Sequence, residues 1–141
     1  MANQLTNYGR KLMKTGDGEP SGRLDWIEDD IRVVLVDASK YAFDVTHQYL
    51  AEIPLNARVA ITTSLIGKSV SNIGAASAAN VVVPTLTGNP IGALAFIKWY
   101  EEDSEQSPFF LWLDEYNGLP AYPTGGKFKI VWPTTSNKIF R

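Results

Sequence analysis

The feature that most constrains the fold is the alternation of short apolar runs with turn signals. The run at 31–36, "IRVVLV", is rich in β-branched residues and has the length of a strand. Six further runs follow at 57–64, 68–73, 80–86, 93–101, 109–114 and 128–132. Turn signals rich in Gly, Pro, Asn and Ser separate them, and Asn117-Gly118 is the strongest hairpin signal among these. This spacing predicts an all-β fold, either an antiparallel β-sandwich or a barrel of jelly-roll-like form.

Two details refine this prediction. Residues 33–36 are apolar without interruption, so both faces of this strand are apolar. Such a strand is either central in a sandwich or buried in a contact between subunits. Only residues 45–53 and the Ala-rich stretch 75–79 have the composition of helices, and each is at most a few turns long. We therefore expect one short helical segment, at 45–53.

The N-terminal residues 1–24 have a different character. They are polar and rich in Gly, with "TGDGEPSGR" in the middle. A segment of this composition buries too little apolar surface to fold alone. We expect an extended N-terminal arm over 1–24, which is flexible or ordered only by a partner. A frayed terminus with no role is the alternative. Residues 25–141 are then expected to form a single β-sandwich domain.

Composition and charge exclude several classes of protein. The chain has 13 Lys and Arg against 15 Asp and Glu, a net charge of −2. Nucleic-acid binding needs clustered positive charge, so no nucleic-acid partner is expected. The apolar runs are shorter than a membrane span, and no membrane partner is expected. The absence of cysteine removes disulfides, thiolate metal sites and cysteine nucleophiles. Residues 1–20 do not resemble a secretory signal, which is consistent with synthesis in a reducing compartment.

The one histidine, His47, is the natural place to look for catalysis. It lies in "DASKYAFDVTHQYLAEI", three residues after Asp44 and next to Thr46. A Ser-His-Asp arrangement needs a carboxylate that orients the ring and a nucleophile within hydrogen-bond reach. Thr46 is adjacent in sequence and is poorly placed for this, and no nucleophile-elbow motif is present. We expect Asp44 or Thr46 to cap a helical turn that packs on the sheet.

Other candidate motifs also favour structural roles. The acidic runs at 28–30 and 101–105 lack the spacing and central glycine of a calcium loop. The "GGK" at 125–127 lacks the pattern of a phosphate-binding loop and precedes a strand, so it predicts a turn. We therefore expect no catalytic residue, no metal and no cofactor. Six aromatic residues either fill the core or form a sugar-binding platform: Trp99, Tyr100, Phe109, Phe110, Trp112 and Trp132.

Several phrases in a fixed order carry a family resemblance. They are "LDWIEDDIRVVLVD", "YAFDVTHQYLAEIPLNARVA", "GKSVSN" and the C-terminal "GLPAYPTGGKFKIVWPTTSNKIFR". With these phrases the chain resembles a family of small bacteriophage virion structural proteins over residues 24–141. The middle part, "AASAANVVVPTLTGNPIGALAF", departs from the family pattern because it has fewer charged loop residues.

The resemblance implies a non-enzymatic capsid decoration (cement) protein. Such proteins are commonly β-sandwiches on the capsid exterior that bridge and stabilise neighbouring capsid subunits. The expected partners are the major capsid protein and copies of the chain itself, with a trimer favoured, after synthesis in the host cytoplasm. A tail, neck or fibre-attachment protein of the virion is one alternative, and a carbohydrate-binding β-sandwich is another.

Four residues are candidates for partner binding. Arg10, Lys11 and Lys14 form the densest cluster of positive charge in the chain, and they suit an acidic partner surface. Trp26 is a candidate apolar anchor at the point where the arm meets the core.

Overall fold

The computed structural model describes residues 4–14, 23–102, 104–115, 119–133 and 139–140. Within these residues the chain forms nine strands, one α-helix and two short 3-10 helices. The helix α1 is Asn7–Lys14, and the 3-10 helices are Leu50–Glu52 and Leu55–Ala57. The strands are β1 (Gln4–Leu5), β2 (Ile31–Val36), β3 (Arg58–Ile61), β4 (Ser69–Val70), β5 (Ala76–Ser77), β6 (Val81–Val83), β7 (Ala93–Lys98), β8 (Phe109–Leu113) and β9 (Phe128–Ile130).

Five strands form one antiparallel sheet in the order β1-β8-β7-β2-β3. The longest pairing joins β2 to β7 along six residue pairs, from Ile31 opposite Lys98 to Val36 opposite Ala93. The pairing of β7 with β8 is interrupted by a bulge, since Phe96 lies opposite Leu111 and Ile97 opposite Phe109. The extra residue, Phe110, turns its side chain to the same side of the sheet as Leu111.

Both faces of the five-stranded sheet are buried at its three inner strands, β2, β7 and β8. Alternate residues of β2 point to opposite faces, so Val33 and Leu35 join one core and Val34 and Val36 join the other. All four side chains are fully buried. The uninterrupted apolar run at 33–36 therefore belongs to an interior strand of the five-stranded sheet and is buried within this chain.

The first face is covered by two small sheets and by aromatic side chains. The strands β4 and β5 pair with each other, and β6 pairs with β9. Trp26 and Trp132 pack against Phe96 of β7, with ring centroids 6.2 and 5.5 Å apart. The second face is covered by the segment 37–57, whose buried side chains include Tyr41, Leu50 and Ile53.

The all-β class is confirmed, and each of the seven runs expected to be strands contains one. The sequence did not predict β1 or β5. The sandwich or barrel form stays a prediction, because the described residues make one five-stranded sheet and two sheets of two strands. The turn at Gly125 is present with a φ of +84°, whereas the expected Asn117-Gly118 turn lies outside the described residues.

The expected helical segment at 45–53 is wrong for most of its length. Only Leu50–Glu52 is helical, as a single 3-10 turn, and the Ala-rich stretch contains the strand β5 instead. The β-branched residues Val45 and Thr46 disfavour a helix. In addition, the carbonyl of Val45 accepts a hydrogen bond from the N–H of Asn7 instead of from a residue in its own segment. No helix in the described part of the chain is long and apolar enough to cross a membrane.

The expected extended arm over 1–24 also needs correction. Where the structure describes this part of the chain, residues 4–14 belong to the fold: β1 pairs with β8, and α1 packs on the same strand. Leu12 is 1% exposed and Tyr8 is 6% exposed. Although the segment is polar overall, Tyr8 and Leu12 are four residues apart, and this spacing places both on one face of a helix. The domain therefore begins well before residue 25.

Candidate interaction surface

The helix α1 is amphipathic in a simple way. Its buried side carries Tyr8, Gly9 and Leu12. Its exposed side carries Arg10, Lys11 and Lys14, so the three cations expected to bind a partner lie together on one helix face. Two of them, Lys11 and Lys14, occupy the last turn, where positive charge also interacts favourably with the helix dipole.

The start of α1 is fixed by Thr6, which is fully buried. Its Oγ1 accepts a hydrogen bond from the N–H of Gly9 at 2.9 Å and donates to the carbonyl of Phe109 at 2.8 Å. Its own N–H donates to the carbonyl of Phe110 at 2.9 Å. One residue therefore caps the helix and ties it to β8.

Gly9 brings α1 very close to the sheet. A Cβ at this position would lie 2.6 Å from Cβ of Phe110, which is nearer than side chains pack. Because only glycine fits here, the helix lies directly on β8. At the neighbouring position of α1, the hydroxyl of Tyr8 forms a hydrogen bond of 2.9 Å with the hydroxyl of Tyr49. These contacts fix the position of α1, and with it the cationic face, on β8.

Trp26 lies inside the domain. Its side chain is 7% exposed, its indole N–H donates to the carbonyl of Ser77 at 3.0 Å, and its ring meets the rings of Phe110 and Phe140 edge to face. It serves as an anchor for the chain's own core, and little of it is accessible to a partner. The structure does bring Trp26 and Lys14 together, since both line one pocket beside α1.

This pocket has a volume of about 360 Å³ and lies between the C-terminal end of α1 and the strands β4 and β5. Its floor is apolar, and its rim carries both exposed apolar side chains and cations. The pocket is lined by Leu12, Met13, Lys14, Arg23, Leu24, Asp25, Trp26, Val70, Gly74, Ala76 and Phe140.

In the structure His47 contacts Tyr41, and Asp44 contacts Thr46. The Nδ1 of His47 hydrogen-bonds with the hydroxyl of Tyr41, whose pKa is raised by burial and by the carboxylates of Glu52 and Asp44. The carboxylate of Asp44 accepts instead from the N–H and hydroxyl of Thr46, at 2.8 and 2.7 Å. These hydrogen bonds lower the pKa of Asp44 and fix a turn. Among the described residues, no group of three or more His, Asp or Glu side chains is placed to hold a metal ion.

The acidic run at 28–30 is engaged in local structure. The carboxylate of Asp30 accepts two hydrogen bonds from Arg32 at 3.1 Å and one from Ser64. Burial alone would raise the pKa of Asp30, but these bonds and the charge of Arg32 hold it below its ordinary value. Arg32 also stacks over Trp99, 4.7 Å from the ring centroid. Asp29 pairs with Lys98 at 3.4 Å.

Most of the suspected sugar platform is core. Phe109 and Phe110 are fully buried, Trp112 is 2% exposed and Trp132 is 4% exposed. Trp99 and Tyr100 are the partly exposed members of the set. Since a sugar stacks only on an accessible ring face, the four buried rings cannot contribute to a binding platform, and the carbohydrate-binding alternative then depends on Trp99 and Tyr100.

Sequence reasoning missed the pocket, the cap at Thr6 and the close approach at Gly9. The signal for the cap was present, because a threonine precedes a segment with apolar residues at positions i and i+4. The pocket had no sequence signal, since its lining comes from separate parts of the chain. No protein-family model matches this chain, and no curated protein matches it with significant similarity.

Proposed function

We propose that this protein is a non-enzymatic structural component of a bacteriophage virion, a capsid decoration protein that bridges neighbouring capsid subunits from the outside. The sequence phrases at 24–37, 41–60, 67–72 and 118–141 support the virion role. The structural observation that carries the proposal is the cationic face of α1, which is held rigidly on the five-stranded sheet.

This surface suits binding to an acidic assembly. Arg10, Lys11 and Lys14 project from a helix whose geometry is already fixed by Thr6 and Gly9. A preorganised surface loses little conformational entropy on binding, and clustered charge speeds encounter with an oppositely charged partner. A protein that binds the assembled shell, and not free subunits, stabilises the shell by mass action.

The contacts of His47 support a non-enzymatic role. The imidazole of His47 hydrogen-bonds with Tyr41, and the carboxylate of Asp44 accepts a hydrogen bond from Thr46. Both side chains therefore take part in local structure. We further propose that the β4–β5 and β6–β9 sheets act as the second layer of a sandwich over the five-stranded sheet. We keep a symmetric trimer as the proposed assembly, with the major capsid protein and copies of the chain as partners.

The test is binding to expanded capsids before and after charge reversal. Purified protein is mixed with capsids in low salt, and bound protein is measured by co-sedimentation. The double variant Arg10→Glu/Lys14→Glu is expected to bind capsids on the order of ten-fold more weakly than the wild type. Added salt is expected to lower the capsid affinity of the wild type until it approaches that of the variant.

The matched control is Lys127→Glu/Lys129→Glu, which makes the same charge change on exposed residues of the β9 region. It is expected to bind like the wild type. Equal loss in both variants would mean that overall charge drives binding and that α1 has no special role. Failure of the wild type to bind any capsid would remove the decoration role. Copy number separates that role from the alternative at the tail or neck, where copies are few.

A further inference from the structure

The pocket beside α1 combines an apolar interior with an incompletely covered rim. Leu12 and Trp26 form its floor and are almost fully buried. On the rim, Met13 is 37% exposed and Val70 is 49% exposed. Apolar side chains that are left exposed around a concave site are typical of binding surfaces.

Cations outnumber carboxylates among the described residues that line the pocket. Lys14 and Arg23 line it, and Arg10 lies one helical turn before Lys14 on the exposed side of α1. Among the lining residues that the structure describes, the carboxylate is that of Asp25, which is hydrogen-bonded to its own main chain. Its Oδ1 accepts from the N–H groups of Ile27 and Glu28 at 3.0 and 3.2 Å. Asp25 keeps its negative charge, so the described lining carries two cations and one carboxylate, and Arg10 adds a third cation near the pocket mouth.

The size of the pocket limits what it can hold. A volume of about 360 Å³ is at the lower end of the range for ligand pockets, about 300–1,000 Å³. This is room for one large side chain with part of its backbone, and it is too small for a folded element. The rim cations suit acidic residues on either side of that side chain.

We propose that this pocket is a docking site for an extended acidic segment of a partner protein, which inserts one large apolar side chain between α1 and the β4–β5 strands. The inference rests on the proposed function only for the identity of the partner, which would be the capsid subunit. Binding of the segment itself can be measured without capsids.

The probe is a nine-residue peptide with a central Phe flanked on each side by four alternating Asp and Glu residues. Titration into isotopically labelled protein is followed by the amide signals of Gly74 and Ala76 and by the indole signal of Trp26. We expect saturable shifts centred on these three residues. Replacing the Phe of the peptide with Ala is expected to weaken binding about ten-fold or more, since an apolar side chain is no longer buried.

Two exposed valines give a matched pair of variants. Val70→Asp places a carboxylate on the pocket rim, whereas Val82→Asp makes the same change on β6, where Val82 is 45% exposed and outside the pocket lining. We expect Val70→Asp to abolish the peptide shifts and Val82→Asp to preserve them. Lys14→Glu is expected to weaken binding at least several-fold. Thermal unfolding of each variant confirms that it is folded.

Several outcomes would overturn the proposal. They are the absence of shifts in the wild type, equal effects of the two valine variants, and equal binding of a peptide with Lys in place of its acidic residues. Self-association that is lost only in Val70→Asp would assign the pocket to a second copy of the chain. Capsid binding that survives Val70→Asp would show that the capsid subunit is not the partner of this pocket, and it would leave the decoration role intact. Peptide binding by a protein that does not bind capsids would support the docking site and reject the decoration role.

Discussion

Gly9→Ala tests most directly how α1 is attached to the sheet. The added Cβ would lie 2.6 Å from Cβ and 2.7 Å from the carbonyl oxygen of Phe110. Carbon atoms in contact are ordinarily about 3.5–4.0 Å apart, so helix and strand must separate by about 1 Å. Phe110 is fully buried in β8, which leaves α1 as the element that moves.

Opposing effects set the size of the change. Alanine is the better helix former and favours the variant by about 1 kcal/mol. Overpacking of a well-filled contact costs about 1–3 kcal/mol. Movement of the helix also weakens the hydrogen bond from Gly9 to Thr6, worth about 0.5–1.5 kcal/mol. We expect the free energy of unfolding to fall by about 1–3 kcal/mol, which lowers the Tm by about 3–9 °C for a chain of this length.

Urea and thermal unfolding measure this change. Gly126→Ala is the matched control, because the nearest atom to its added Cβ is Oγ1 of Thr124 at an ordinary 3.7 Å. Its stability is expected to stay within about 0.5 kcal/mol of the wild type. If Gly9→Ala were as stable as the wild type or more stable, α1 would not pack on β8 as described, and a detached N-terminal arm would again be the better description.

Three further substitutions test other parts of the molecule. Leu12→Ala removes a side chain that is 1% exposed, and urea unfolding should show a loss of about 2–5 kcal/mol; a loss below about 0.5 kcal/mol would contradict the packing of α1. Ser64→Ala removes a hydrogen bond to the carboxylate of Asp30, whose folded-state pKa lies below its unfolded value, so the stabilisation is present above about pH 4 and is lost as the pH falls through the folded pKa. The variant should therefore be less stable than the wild type at pH 6, with a difference that narrows at pH 2.5; a constant difference would refute the linkage. Tyr41→Phe removes the bond to His47 and should cost about 0.5–1.5 kcal/mol without changing capsid binding; loss of binding in a stable variant would make this pair functional.

The sheet could be predicted because its central strands have strong local signals. In β2 the β-branched residues fix the strand, and the apolar run at 33–36 requires two buried faces, which the structure provides on either side of the sheet. The two-residue strands β1 and β5 are too short to show such a pattern, and β1 is defined only by its pairing with β8, which is distant in sequence.

The helix α1 could not be predicted from propensity. Eight residues are too few for a stable isolated helix, and "NYGRKLMK" contains a glycine in its first half. Its stability comes from tertiary contacts of Tyr8, Gly9 and Leu12 with the sheet, and those contacts depend on how the chain folds. The three cations were found from sequence because charge clustering is visible there. Their common exposed face and the adjoining pocket required the structure.

Reconstruction of the virion at a resolution that separates subunits is the most direct test of the proposed role. We expect on the order of hundreds of copies at symmetric positions on the outer shell, each bridging capsid subunits with the exposed face of α1 toward an acidic surface. A location at the tail or neck, in about a dozen copies or fewer, would contradict the decoration role. Absence from the virion would contradict any structural role in it.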